Sequence, residues 1–326
     1  MKLSWHKNLE SSWLRSVDQG RAPHAVLLLG VAGSGKRCAA AWLARTHLGL
    51  AGAEAGVQYP LQAVEHADMR WISPVEDKHT IGIEQIRELV SALALTSYEG
   101  RGKVAVIDPA HAMTANAANS LLKTLEEPPG NALLILVADR VGRLPATIFS
   151  RCQRLSIALP SEEDGMRWLE QMRPGEQWGG LLREAGNAPL AAVVAAGQRQ
   201  DTEILSRDFA ALASKKGAPL EVAARWSKYE PEFVLKWLSR QVQNCIQRTF
   251  DGVSSQHNLE VSQSVLQCID RRNLFCYLDT VNGLRGQPVG SFNVLLTLES
   301  LLIDWAGGLS SHQGLAPAAH IQPLWD

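Results

Sequence analysis

The sequence is poor in cysteine, in net charge and in long apolar runs, and each shortage excludes something. Its five cysteines, Cys38, Cys152, Cys245, Cys268 and Cys276, form no C-x-x-C pair and no metal-ligand rhythm. A disulfide framework and a thiolate zinc site are therefore not expected, and free buried thiols in a reducing compartment are. The formal net charge is −1. No overall field draws such a chain onto nucleic acid, so any DNA role must work through a local patch or through partners. Lys215-Lys216 and Arg271-Arg272 are basic doublets of the kind that usually just face solvent. No apolar run approaches the roughly 20 residues that span a bilayer. The opening residues Met1 to His6 lack the apolar centre of a signal peptide. No membrane partner is expected, and a cytoplasmic location is. Internal repeats and low-complexity tracts are also missing.

What is present fits a soluble chain of two or three domains: 326 residues, 46% hydrophobic and 20% charged. Trp5, Leu9, Trp13 and Val17 recur at four-residue spacing and predict an amphipathic helix over 5–19. Val26 to Leu29 is an apolar run closed by Gly30, and the sequence then reads G-x-x-x-x-G-K through Gly30, Gly33, Ser34, Gly35 and Lys36. A strand, a phosphate-cradling loop and a helix follow one another in P-loop order. In such a loop backbone N–H groups turn onto an anion, and the lysine reaches the terminal phosphates. The residue after the lysine should carry the hydroxyl that helps hold Mg²⁺, and here it is Arg37, which has no oxygen to offer. A Gly-rich turn that binds nothing is the competing reading.

Beyond a Gly/Ala-rich surface insertion at 49–67, short apolar runs at Met69–Ile72, Lys103–Ile107, Ala132–Ala138 and Leu155–Leu159 predict strands. Helical patterns lie between them, at 83–95 and from an N-cap at Thr114 to the stop at Pro128-Pro129. Fully apolar strands alternating with helices predict a parallel sheet covered on both faces. That α/β domain should occupy 1–160. Residues 161–205 predict short helices broken at Pro174-Gly175 and Gly186-Asn187-Ala188-Pro189. Residues 206–326 predict an all-α domain, with apolar stripes over 234–246 and 294–305 and a loosely ordered tail from Gly307.

Asp108 closes the third predicted strand where a Walker B aspartate would hold Mg²⁺ through water, although a turn-forming aspartate is an alternative. Pro109 follows where an ATPase would place its catalytic glutamate. Further on stand L-L-K-T-L-E-E-P-P, from Leu121 to Pro129, and T-I-F-S-R-C, from Thr147 to Cys152. With a preceding P-loop, these two motifs closely resemble the bacterial clamp-loader family of AAA+ proteins. The resemblance covers residues 1–200 well and, beyond that, rests on length and helical character.

The resemblance implies a RecA-like AAA+ domain, a helical lid and an all-α collar that joins the subunits. It also implies a role for Arg151: the arginine of S-R-C reaches a neighbour's ATP γ-phosphate in trans, framed by Ser150 and Cys152. Arg37, Pro109, Pro189 and the pair Ala138-Asp139 all depart from the family's ATP-hydrolysing pattern. A non-hydrolysing subunit is therefore expected, with no required cofactor and with ATP or ADP binding without turnover left open. Many relatives carry a four-cysteine zinc module before the second strand; residues 49–68 contain no cysteine, so no zinc is expected. The implied partners are the motor (gamma/tau) and delta subunits of a hetero-oligomer, and through it primed DNA and the sliding clamp. The rival expectation is an active P-loop ATPase, either a motor subunit of the same loader or a DNA-repair AAA+ protein.

Overall fold

The structure, a computed structural model, describes residues 1–75, 80–139, 144–251, 261–262, 266–267, 269–287 and 292–309. Cys268 and the tail beyond 309 lie outside these residues. The chain divides into two compact units, Met1–Gly197 and Gln198–Asp326.

The first unit is built on five strands: β1 (Ala25–Leu29), β2 (Met69–Ile72), β3 (Lys103–Ile107), β4 (Ala132–Ala138) and β5 (Gln153–Ser156). They form one sheet of order β2-β3-β4-β1-β5, and every pairing is parallel. The period-two alternation of a strand sends Val26 and Leu28 to one face and Ala25 and Leu27 to the other. The first face packs on α2 (Lys36–Leu48) through Ala39, Trp42 and Leu43. The second packs on α3 (Ile83–Ala94) and α4 (Ala115–Glu126) through Ile86, Leu89, Leu121 and Leu125. Both faces are thus covered, and each buried Leu or Ile contributes about 1.5–3 kcal/mol of transfer free energy.

Three expectations need correction. β5 reads Gln-Arg-Leu-Ser and begins two residues earlier than its apolar signal; it is an edge strand, mostly exposed, paired on one side by β1. The segment 49–67 is not wholly surface: Val57 is buried, and its N–H and C=O bond Glu10 and Leu3. The first helix, α1 (Lys7–Asp18), buries Trp13 but leaves Val17 in its last turn exposed.

Helix α4 starts where Thr114 accepts a hydrogen bond from the Ala117 N–H at 3.2 Å, and Pro128 forbids its continuation. A four-residue helix, α5 (Ala146–Phe149), leads into Ser150-Arg151-Cys152. Three further helices, α6 (Glu162–Met172), α7 (Trp178–Glu184) and α8 (Pro189–Gly197), place Trp168, Trp178, Leu182 and Leu190 in the same cluster as the α2 face of the sheet.

The second unit is helical among its described residues. Its core gathers Leu205, Phe209, Trp226, Val234, Leu238, Val242, Tyr277, Leu302 and Trp305. Trp305 stacks on Phe209 at 4.0 Å between centroids and donates its indole N–H to the Phe209 carbonyl. Of the second predicted stripe, Leu298, Leu301, Leu302 and Trp305 are buried and Leu295 faces out.

Candidate functional site: the P-loop and the S-R-C turn

The loop between β1 and α2 needs its glycines. Gly33 and Gly35 have φ of +81° and +93°, a region L side chains rarely adopt. A Cβ on Gly33 would lie 2.5 Å from the Ala191 nitrogen of α8, and one on Gly35 2.8 Å from His6 Nε2. The loop is therefore held from two sides. On one, Trp5 Nε1 donates to the Ser34 carbonyl at 2.9 Å and His6 Nε2 lies 3.0 Å from the same oxygen. Burial lowers the His6 pKa, so the neutral ring with Nε2–H donating is the form that fits. On the other, the Leu190 N–H donates to the Gly33 carbonyl at 3.3 Å.

Each cation of the loop meets an internal carboxylate. Lys36 Nζ sits 2.6 Å from Asp139 Oδ1 and donates to the Val31 carbonyl at 2.7 Å, with its side chain only 4% exposed. Arg37 Nε sits 2.6 Å from Asp108 Oδ2. Burial pushes the Asp108 carboxyl above its usual range, and the Arg37 guanidinium opposes that shift. The P-loop fold implies a magnesium–nucleotide, and in this arrangement the residues do not fit one. Lys36 and Asp108 already have partners, Arg37 brings a guanidinium where a metal ligand belongs, and α8 closes on Gly33. Ser34 Oγ is buried without a partner. Among the described residues no group of three or more His, Cys, Asp or Glu side chains is placed to hold a metal.

The S-R-C turn joins α5 to β5, the edge strand beside β1. Arg151 follows α5, with Ile148 and Cys152 buried on either side of it. Its Nε donates to Glu126 Oε1 at 2.6 Å and its Nη2 pairs with the same oxygen. Nη1 donates to the Thr147 carbonyl at 3.1 Å and to Ser150 Oγ at 3.2 Å. The side chain remains 33% exposed. Cys152 is inert by comparison: burial pushes its thiol up to about 12. Cys38 and Cys245 are likewise buried, free and raised, to about 11 and about 12.

Of the residues singled out by sequence, the structure brings Gly30, Gly33, Ser34, Gly35, Lys36, Arg37 and Asp108 together at the β1 and β3 ends. Arg151, Ser150 and Cys152 form a separate turn. His6 and Glu126 carry no separate signal in the sequence, and Asp139 stands out there only as part of the Ala138-Asp139 departure from the ATP-hydrolysing pattern. Asp139 had a usable signal: an acid directly after β4, which neighbours β1 in the sheet.

A five-stranded parallel sheet with a P-loop after its first strand, followed by helical domains, defines a RecA-like AAA+ architecture. The family described as DNA polymerase III, delta subunit matches residues 5–161. DNA polymerase III subunit delta' of Pseudomonas aeruginosa is 29% identical over 91% of this chain and 96% of its own length. Subunit tau of Escherichia coli is 30% identical over 62% of this chain and 31% of its own. A solved structure, a DNA polymerase III gamma-subunit-related protein of Thermotoga maritima, shares the fold, with a TM-score of 0.54 at 19% identity over 91% of this chain and 98% of that one. By sequence the chain is similar to subunits of the DNA polymerase III clamp loader, most of them over its first domain.

Proposed function

We propose that this chain is the delta-prime-type, non-hydrolysing subunit of a DNA polymerase III clamp loader. Its first domain presents Arg151 to the nucleotide of an adjacent motor subunit. Residues 161–205 act as the lid and 206–326 as the collar that joins gamma/tau and delta partners. Through that cytoplasmic complex it helps load the sliding clamp onto primed DNA. The observation that carries the reading is the Arg37–Asp108 pair at 2.6 Å, which replaces the hydroxyl and metal that hydrolysis needs. A guanidinium is always charged and bidentate toward phosphate oxygens, which suits Arg151 to service in trans.

Arginine fingers supply roughly 10³–10⁵ in rate at the interface they serve. Arg151→Ala should therefore abolish turnover at one interface of the reconstituted loader and depress its DNA-stimulated ATPase, with folding intact. An unchanged rate overturns the assignment. The competing reading, a motor ATPase, has in its favour the retained Lys36 and the likeness to gamma and tau relatives. Mg²⁺-dependent nucleotide binding and turnover by the isolated chain, read by calorimetry and phosphate release, would establish it instead.

A further inference from the structure

Glu126 is the last residue of α4, at the helix end where backbone carbonyls concentrate negative partial charge. A carboxylate is placed unfavourably there unless a cation answers it. The cation is Arg151, whose Nε and Nη2 both meet Glu126 Oε1.

Both ends of this contact are fixed to the core. Thr124 and Leu125 are buried beside Glu126, and Ile148 and Cys152 are buried around Arg151. The Pro128 stop sets where α4 ends and so where the carboxylate sits. The guanidinium has five N–H donors, and four contacts are made, to Glu126, to the Thr147 carbonyl and to Ser150 Oγ. One donor on Nη2 is left for a further acceptor, on a side chain that is 33% exposed.

We infer that Glu126 is the positioning residue of Arg151, holding its guanidinium in one rotamer with the remaining donor edge available to a phosphate of a neighbouring subunit. The inference rests on the reading of Arg151 as an arginine finger. A long arginine side chain free in solvent must be ordered when a phosphate arrives. One already clamped at Nε and Nη1 meets that cost during folding, so the benefit falls on the chemical step and not on nucleotide affinity.

The test uses the reconstituted loader with Glu126→Ala, Glu126→Gln, Arg151→Ala and the Glu126→Ala/Arg151→Ala double variant. Glu126→Ala should lower kcat of the DNA-stimulated ATPase roughly three- to tenfold with KM for ATP unchanged. Glu126→Gln keeps an acceptor oxygen and should recover most of the rate. The double variant should be no slower than Arg151→Ala alone, because the two residues act as one unit. The pair is exposed enough that the thermal midpoint of the isolated Glu126→Ala chain should stay close to wild type. A kcat unchanged or raised in Glu126→Ala, or losses that add in the double variant, overturns the inference while leaving the finger in place. An Arg151→Ala loader with unchanged ATPase overturns both.

Discussion

Arg37 and Asp108 are 71 positions apart in sequence, and their 2.6 Å contact is the densest electrostatic statement at the nucleotide loop. The Asp108 carboxyl is buried and its pKa is raised by that burial, with Arg37 pulling the other way. Arg37→Ala should raise it further. A carboxyl whose folded pKa lies above its unfolded value favours the folded state in acid and loses that advantage as pH rises through the folded pKa. The variant should therefore be destabilised by about 2 kcal/mol at pH 8 and by less at pH 5, the figure being reduced from that of a fully buried pair because Arg37 is largely in water. Urea midpoints across that range check it, and equal losses at both pH values would contradict it. At this scale the sequence was legible where one residue type carries the meaning, as with the glycines, Lys36 and the missing hydroxyl at Arg37. The pairings Lys36–Asp139 and Arg151–Glu126 were not legible, because they arise only when strand and helix ends separated by 25 or more residues are brought together.

Elements were readable in proportion to how completely they are buried. Strands β1, β3 and β4 are apolar runs because both faces are covered, whereas edge strand β5 opens on polar residues, so its apolar signal begins two residues late. Likewise the breaks around α7 follow from Pro and Gly, yet nothing in those residues says that α8 rests on the P-loop. That contact makes a testable asymmetry between two glycines. Gly33→Ala forces a side chain into a φ of +81° and against Ala191, and should cost at least about 2 kcal/mol. Gly179→Ala, within α7 with open space around its Cβ position, should stabilise by about 0.5–1 kcal/mol. Thermal unfolding of the two variants side by side reads both signs.

On the scale of the whole molecule, the two units have separate hydrophobic cores. A fragment of residues 1–197 should therefore fold alone with a cooperative urea transition, as a domain of that size has core enough to do. If residues 206–326 are the collar, the fragment should stay monomeric when mixed with partner subunits, which sedimentation would show. Composition allowed two or three domains, and the sharing of one core between the sheet and helices α6 to α8 is a property of packing that no composition shift at residue 160 announces.

The closed P-loop has a consequence for how such a chain would behave in a living cell. Lys36 with Asp139 and Arg37 with Asp108 neutralise each other in place, so the charge balance around the loop is completed by the polypeptide itself. Under the proposed function, chelating the magnesium or swinging the ratio of ATP to ADP would change the neighbours of this subunit and leave its own shape as it was.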